Sequence, residues 1–354
     1  MMLLSTIINK FKQSFSEQYK KSILPGHRKA LWAMEQCRQI HGPQMLVQCT
    51  DQACGKRKYI PHSCGHRNCP HCQNHENQQW IENQLDKLLP AEYYLVSFTL
   101  PKQLRDLAWR HQQIVYSIMF DCVRDTLQTF TGNDKKLGGT AGFTAILHTH
   151  SRELGYHPHI HVVMPAASIN MLTGLWKKKT GYLFNEKALA KVFRAKMLAT
   201  LVDQGMKVPG DCPKEWVAHC KNVGNGDKAI IYLGNYLYRG VIREKDILRC
   251  EDGQVTFRYR SAESKTYKTK TVSGEKFLYL LMLHVLPKGF RRVRSYGFLH
   301  PCSKKLIKFL QVILRVNPVR MFAGRQKKRP AITCPACGAA MKIIRTRIIM
   351  PLIA

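Results

Sequence analysis

The sequence predicts an α+β fold rather than a doubly wound parallel sheet. Strand-like runs rich in β-branched and aromatic residues are mixed with helical stretches and hairpins, which is typical of α+β proteins. Asp252-Gly253 stands between two strand-like segments and is a strong hairpin signal. No segment repeats at a fixed period, and no low-complexity tract interrupts the pattern.

The chain is strongly basic. Its 354 residues include 56 Lys+Arg against 23 Asp+Glu, a formal charge of +33, and residues 276–354 hold 17 Lys/Arg and no acidic residue. A polycation of this size repels itself unless a polyanion screens it, and nucleic acid is the commonest such partner. The hydrophobic share of 45% is ample for a packed core, which excludes a disordered polycation.

Membrane and nucleotide-cofactor signals are absent from the sequence. No apolar run approaches the ~20 residues that a membrane helix needs, and residues 1–10 lack the basic segment and cleavage site of a signal peptide. The pattern G-x4-G-K-[S/T] does not occur either, so we expect no nucleotide cofactor. We therefore expect a soluble, cytoplasmic protein.

Two cysteine pairs near the N-terminus predict a zinc ribbon. Cys49 and Cys54 precede a short strand-like stretch, and Cys69 and Cys72 follow it. Cysteines so spaced in a cytoplasmic chain are typical of metal knuckles. We predict that Zn²⁺ is held by all four thiolates, each about 2.3 Å from the ion. The role would be structural, because a closed four-thiolate site has no open position for chemistry.

Local patterns predict the other elements in order. Leu31, Met34 and Ile40 lie at helical spacing in a first helix, and Pro101 ends the run YYLVSFTL, which is typical of a strand. The helices are predicted over residues 27–40, 103–130, 185–205 and 227–239. The strands are predicted over residues 93–100, 141–150, 157–164, 247–250 and 255–260.

These elements suggest three domains. Residues 1–87 would form a helical and zinc-binding domain, residues 88–245 a central α+β domain, and residues 246–354 a basic DNA-binding extension. The extension ends in a further cysteine pair, Cys334-Pro-Ala-Cys337. Two ligands are too few to define a zinc site there, and Cys302 is the candidate for a third.

The segment His157-Pro-His159-Ile-His161 is the most informative stretch for chemistry. Side chains alternate along a strand, so the three imidazoles share one face and the apolar residues between them face the core. Three such positions span about 13 Å, too far for one ion, so we predict His159 and His161 as ligands of a divalent metal. His148 is the candidate third ligand, because its strand would pair with this one. The alternative is a histidine-rich solvated face.

Tyr232 and Tyr236 are the candidate nucleophiles. They lie four residues apart on a predicted helix, one turn apart on the same face, and Arg239 joins that face. A phenolate can attack phosphorus once a metal and an arginine neutralise the phosphate. Tyrosines at this spacing are also common in simple core packing. Arg291, Arg292 and Arg294 are the candidates for contacts with the DNA backbone.

The order of these motifs resembles one family, the two-tyrosine HUH transposases of the insertion-sequence ninety-one type. The matching segments are SCGHRNCPHC (63–72), YYLVSFTLP (93–101), LHTHSRELGYHPHIHVVMP (147–165), YLGNYLYRGVI (232–242), VTFRYR (255–260), HVLPKGFRRVRSYGFL (284–299) and CPACG (334–338). They cover most of the chain in the family's order. The family's metal-binding pair maps onto His159 and His161, and its paired nucleophiles map onto Tyr232 and Tyr236.

The resemblance implies a fold and a reaction. The central domain would be an HUH nuclease with an antiparallel sheet, an RNA-recognition-motif-like palm and flanking helices. With Mg²⁺ or Mn²⁺, it would nick single-stranded element ends and join them to target DNA in rolling-circle transposition. Each tyrosine would form a 5′-phosphotyrosine and release a 3′-hydroxyl. Such a protein would be bacterial and associated with the nucleoid when bound to DNA.

Two other functions are compatible with the sequence. A plasmid rolling-circle replication initiator or a relaxase would use the same chemistry, although the N-terminal ribbon and the LPKGFRRVRSYG segment favour the transposase. A zinc-containing DNA-binding regulator would bind DNA without cleaving it and would be indifferent to the loss of either tyrosine hydroxyl.

Overall fold

The computed structural model describes residues 3–40, 42–238, 240–261, 264–316 and 332–348. The helices are α1 (Leu4–Gln18), α2 (Pro25–Glu35), α3 (Asn74–Leu85), α4 (Arg105–Arg110), α5 (Gln112–Asn133), α6 (Glu186–Asp203), α7 (Asp227–Tyr238), α8 (Gly274–Met282) and α9 (Lys304–Ile313). The strands are β1 (Gln44–Cys49), β2 (Arg57–Pro61), β3 (Tyr93–Thr99), β4 (Thr140–Ala141), β5 (Phe143–His150), β6 (Tyr156–Pro165), β7 (Ala167–Ile169), β8 (Trp176–Lys178), β9 (Ala218–Asn222), β10 (Ile247–Glu251), β11 (Gln254–Arg260), β12 (Tyr267–Ser273), β13 (Val293–Tyr296), β14 (Ile332–Thr333) and β15 (Ala340–Ile348).

These bounds confirm the predicted α+β fold class and most of its elements. The strand predicted over residues 157–164 is β6, and the hairpin predicted at Asp252-Gly253 joins β10 to β11. Both turn residues have positive φ, 47° and 75°, which Asp and Gly tolerate well. The helix predicted over residues 103–130 was wrong in one respect, because the chain breaks at His111 between α4 and α5.

A five-stranded antiparallel sheet in the order β13-β5-β6-β3-β9 positions the candidate site. Alternate side chains of β6 point to opposite faces. Ile160, Val162 and Met164 enter the main core beneath α5 and α6. On the other face Val163 packs with α3 and α7. Because His159 and His161 share the face of Val163, they lie on the side that α7 covers.

The two ends of the chain pack together. Helices α1 and α8 enclose a second core with the meander β10-β11-β12. A four-stranded sheet in the order β14-β15-β1-β2 combines the C-terminal hairpin with the N-terminal one. Elements of the predicted C-terminal extension therefore lie against the N-terminal region rather than apart from it. Within the described ranges, no helix has the length and apolar character that crossing a membrane requires.

Candidate active site and metal centres

Three histidines meet on the face of the central sheet beneath α7. In the antiparallel register of β5 and β6, His148 lies directly opposite His159, and His161 follows two residues further along β6. Each histidine offers a ring nitrogen, and the three nitrogens lie within 4.8 Å of one another. The structure thus brings together the predicted pair and the candidate third residue.

The ring nitrogens of this group suit a divalent ion. Both ring nitrogens of His148 and Nδ1 of His161 are buried and have no hydrogen-bond partner in the described part of the chain. His159 Nδ1 donates to the carbonyl oxygen of His157 at 2.7 Å, which leaves its Nε2 as the nitrogen that can bind an ion. Such an outer hydrogen bond is the usual way in which proteins orient a metal-binding imidazole.

Burial keeps these imidazoles neutral. Burial first, and then the neighbouring His161 and His159, lower the pKa of His148 well below its ordinary value. Burial and His159 lower the pKa of His161 to about 3. The neutral imidazole is the form that binds a metal. His157 lies outside the group, beside Arg105, whose guanidinium is 2.5 Å from His157 Nδ1.

Helix α7 carries both candidate nucleophiles over this face, and Gly234 lets it approach closely. A Cβ at Gly234 would lie 2.4 Å from Ile81 on α3, so only glycine allows the two helices to pack at this distance. Leu233 and Leu237 fill the apolar side of the helix. Tyr232 and Tyr236 lie one turn apart, with ring centroids 6.3 Å from each other.

The two tyrosines have different surroundings. The ring of Tyr236 stacks on His148 and on His150, with centroids 3.7 Å and 4.8 Å away, and its hydroxyl donates to the carbonyl oxygen of His150. Burial and the nearby Tyr232 raise the pKa of Tyr236, against the opposing charges of Arg292 and Arg152. Tyr232 is 51% exposed.

Both tyrosines border an open cleft of about 450 Å³ between α7 and the β10-β11-β12 meander. Arg152, Arg258 and Arg260 line this cleft. The guanidinium of Arg258 lies 5.1 Å from the ring centre of Tyr267, another lining residue. Sequence reasoning missed these arginines as a group, although the alternation in VTFRYR already placed two of them on one face of a strand.

The three predicted DNA-contacting arginines do not form one exposed patch. Arg291 is exposed. Arg292 points inward beside Tyr236, and burial lowers its pKa to about 10. The guanidinium of Arg294 lies 4.3 Å from the ring centre of Phe120. Arg239, the fourth residue of the predicted set, lies outside the described residues.

The structure corrects the predicted cysteine grouping. Cys69 and Cys72 lie with Cys37 and Cys64, whereas Cys49 and Cys54 lie with Cys334 and Cys337. The physical reason is the β1–β2 hairpin. Cys49 and Cys54 lie at its turn end, while the chain after β2 returns beside residue 43, where the His62 amide donates to the Pro43 carbonyl oxygen. The six residues of β1 and the five of β2 hold the two pairs roughly 15 Å apart.

The first of these clusters, Cys37, Cys64, Cys69 and Cys72, has the geometry of a structural zinc site. The Sγ atom of Cys72 lies 3.6 Å from that of Cys37 and 3.6 Å from that of Cys64, and the Sγ atoms of Cys37 and Cys69 lie 3.5 Å apart. A tetrahedral ion with Zn–S bonds of about 2.3 Å requires sulfur separations of about 3.8 Å. Sequence reasoning left the role of Cys64 unassigned and missed Cys37, which stands alone 27 residues before the nearest other member of its cluster.

Two family models and two known proteins match this chain. Residues 142–306 match the family described as "Putative transposase", and residues 7–100 match the "Transposase zinc-binding domain". "Putative transposase y4qJ" of Sinorhizobium fredii is 31% identical over 317 residues, and the match covers 83% of this chain and 79% of that protein. The transposase for insertion sequence element IS801 of Pseudomonas savastanoi is 26% identical over 324 residues, and the match covers 83% of this chain and 77% of that protein.

The fold, the cysteine clusters and these matches define a nucleic-acid-processing enzyme with a zinc-binding domain. The chain belongs to the IS91-type family of insertion-sequence transposases, which confirms the family that its motifs resemble. Its partner is therefore DNA, and the zinc-binding domain that matches residues 7–100 contains all four residues of the Cys37 cluster.

Proposed function

We propose that this transposase nicks and rejoins single-stranded DNA at the ends of its element by tyrosine attack on a phosphodiester, as in rolling-circle transposition. The arrangement of the histidines and tyrosines is the main support for this proposal. A cluster of three neutral imidazoles lies directly beneath a helix that presents two tyrosines from the same face. Buried ring nitrogens of His148 and His161 have no hydrogen-bond partner among the described residues, which a packing role alone would not explain.

His148, His159 and His161 would hold the divalent ion, Mg²⁺ or Mn²⁺. When bound, such an ion supplies positive charge to the phosphate oxygens and makes phosphorus easier to attack. The chain's own contribution is to hold the three imidazoles neutral and correctly oriented, through burial and through the hydrogen bond from His159 to the His157 carbonyl oxygen. Arg292, beside Tyr236, adds fixed positive charge behind the site.

The tyrosines would carry the covalent step. The phenol oxygen loses its proton and forms a bond to phosphorus, while the bond from phosphorus to the 3′ oxygen breaks. The products are a 5′-phosphotyrosine and a free 3′-hydroxyl, and the retained bond energy allows rejoining without ATP. Tyr232 would act first, because its side chain is exposed at the cleft, whereas the hydroxyl of Tyr236 is bound to the His150 carbonyl oxygen.

Single-stranded DNA would enter through the cleft beside α7. Arginines that track a backbone, combined with aromatic rings on which bases stack, are the usual features of single-strand binding. Arg152, Arg258 and Arg260 supply the charge, and Tyr267 supplies a ring. Of the arginines predicted from the sequence, Arg291 is exposed and suited to a further backbone contact. Zinc on Cys37, Cys64, Cys69 and Cys72 would stabilise the neighbouring N-terminal domain.

Incubation with a single-stranded oligonucleotide that carries the element's end, in the presence of Mn²⁺, tests the proposal. Denaturing gel electrophoresis should show a covalent protein–DNA band and a released fragment ending in a 3′-hydroxyl. DNA that binds but stays intact under these conditions would instead identify a zinc-containing regulator and would refute the enzymatic proposal.

A further inference from the structure

Four cysteines from two distant parts of the chain meet at one end of the sheet β14-β15-β1-β2. Cys49 and Cys54 belong to the N-terminal hairpin, and Cys334 and Cys337 belong to the turn that joins β14 to β15. Cys49 Sγ and Cys337 Sγ lie 3.4 Å apart although 288 positions separate them in the chain. Cys54 Sγ and Cys334 Sγ lie 3.8 Å apart.

The sulfur positions fit a tetrahedral ion. All four atoms lie within 4.8 Å of one another. Zn–S bonds of about 2.3 Å in a tetrahedron place sulfur atoms about 3.8 Å apart, which is close to both measured separations. A disulfide would need about 2.05 Å between the sulfur atoms, so the observed spacing is that of metal ligands and not of cystine.

Backbone hydrogen bonds shape both cysteine-bearing segments into turns. Between Cys49 and Cys54, the Gly55 amide donates to the Asp51 carbonyl oxygen, and the Cys49 amide donates to the Lys56 carbonyl oxygen. In the C-terminal segment, the Gly338 amide donates to the Cys334 carbonyl oxygen, and the Cys334 amide donates to the Ala339 carbonyl oxygen. The four sulfur atoms are therefore held by two closed turns.

The surrounding sheet holds the two turns in register. β1 pairs with β15 from Gln44 opposite Ile348 to Cys49 opposite Met341, so the ladder ends at the cysteines. Val47 and Met341 are buried beside Cys49 and Cys334 in a small core of their own. A core of this size is too small to fix a terminal hairpin by itself, and a bound metal is the usual supplement.

We propose that Cys49, Cys54, Cys334 and Cys337 form a second structural zinc site that joins the C-terminal hairpin β14–β15 to the N-terminal hairpin β1–β2. The family match to the zinc-binding domain ends at residue 100 and so contains only half of this site. The site joins the N-terminal hairpin to the C-terminal one. In the sheet that they share, β1 lies between β2 and β15, so Gln48 pairs with Arg57 on one side and with Lys342 on the other. The proposal does not depend on the cleavage chemistry.

Zinc stoichiometry of the purified full-length protein tests the site. The wild-type protein should contain about two zinc ions per chain, and Cys334→Ser/Cys337→Ser should contain about one. Cys49→Ser/Cys54→Ser should show the same loss, because it removes the other half of the same site. Cys302→Ser, which changes an exposed cysteine outside both clusters, should keep both ions. One zinc per wild-type chain, or two in either double variant, would overturn the proposal.

Thiol alkylation gives a second readout that does not need a folded variant. Cys337 and Cys302 are both exposed, so a free thiol at either position should react quickly with iodoacetamide. In the zinc-loaded wild-type protein, Cys302 should be alkylated at once and Cys337 should be protected until a strong chelator is added. Equal labelling of the two cysteines before chelation would contradict the site.

Discussion

The ring of Tyr236 lies on the imidazole of His148, with ring centroids 3.7 Å apart and planes inclined by 18°. His150 stacks on the same ring at 4.8 Å and 6°. The tyrosine is therefore enclosed between two histidines of β5, one of which belongs to the candidate metal group. Tyr232, one turn earlier on α7, has no such enclosure and is 51% exposed.

The enclosure predicts unequal effects of removing the two hydroxyls. Tyr232→Phe should reduce the first cleavage of a single-stranded end by about 100-fold or more, because the exposed nucleophile is lost. Tyr236→Phe should leave the first cleavage within about threefold but prevent completion of transposition, which needs two nucleophiles. Rates of covalent protein–DNA adduct formation, measured under single-turnover conditions for both variants, test this difference. A larger loss of first cleavage in Tyr236→Phe than in Tyr232→Phe would reverse the proposed order.

The histidine group predicts a separation of cleavage from DNA binding. His159→Ala or His161→Ala should lower cleavage by about a thousandfold, because the metal's contribution to phosphoryl transfer amounts to several kcal/mol. Affinity for single-stranded DNA should change little, since it depends on the basic surface. His157→Ala is the matched control on the same strand and should retain metal-dependent cleavage. Full activity in His161→Ala with Mn²⁺ would show that this residue is not a ligand.

The cleft predicts where phosphate contacts are made. Arg258→Ala/Arg260→Ala should weaken binding to single-stranded DNA and reduce the slope of log K against log salt by about two, one for each lost contact. Lys191→Ala is the control, because it is exposed on α6 at the opposite face of the sheet. Fluorescence anisotropy between about 50 and 200 mM salt measures the slope. An unchanged salt slope in the double variant would show that the DNA backbone does not contact these arginines.

The close approach of α7 and α3 predicts a stability effect at Gly234. A methyl group there would lie 2.4 Å from Ile81, so Gly234→Ala should cost about 1–3 kcal/mol of unfolding free energy and should displace both tyrosines. Adding Ile81→Ala should restore part of the loss by making room. Gly132→Ala in α5, where no atom lies within 4 Å, should be neutral or slightly stabilising. Chemical denaturation followed by circular dichroism gives the comparison, and equal effects at the two glycines would contradict this packing.

Buried His284 predicts a loss of stability in acid. Burial lowers its pKa from the ordinary 6.5 to about 4, and it bonds to Thr149 Oγ1 and the Leu154 carbonyl oxygen. The folded state therefore binds the proton less readily than the unfolded state. Its contribution is complete above pH 6.5 and is lost as the pH falls toward 4, which amounts to about 2 kcal/mol between pH 7 and pH 5.

The variant His284→Gln keeps a donor and an acceptor but does not titrate. It should lose about 2 kcal/mol less unfolding free energy than the wild-type protein between pH 7 and pH 5. Urea unfolding at the two pH values measures the difference, and the comparison removes the acid effects that both proteins share. Equal losses would show that His284 does not account for the acid sensitivity.

The candidate site was predictable where short-range geometry decides it. Because side chains alternate along a strand, His159 and His161 must share a face. Because β5 and β6 form a single hairpin, His148 lies opposite them. Helical spacing likewise fixes the common face of Tyr232 and Tyr236. The stacking of Tyr236 on His148 was not predictable, because it depends on how closely α7 docks.

The cysteine grouping and the cleft depend on long-range packing. Cys49 meets Cys337 only because β1 pairs with β15 across most of the chain, and no local spacing encodes that pairing. Arg152 reaches the cleft because its guanidinium donates to the carbonyl oxygen of Ser261 near the meander. Arg292 is half-buried rather than exposed because it directly precedes β13, which pairs with β5, and its carbonyl oxygen accepts from the Leu147 amide.

Mapping the covalent bond tests the central claim most directly. The protein is incubated with single-stranded end DNA and Mn²⁺, digested with nuclease and trypsin, and the peptide of residues 229–239 is sequenced by mass spectrometry. We predict a nucleotide on Tyr232 or Tyr236, no adduct in Tyr232→Phe/Tyr236→Phe, and an unchanged adduct in Tyr238→Phe, since Tyr238 packs toward Trp80 of α3. An adduct that persists in the double variant, or that is lost in Tyr238→Phe, would contradict the account.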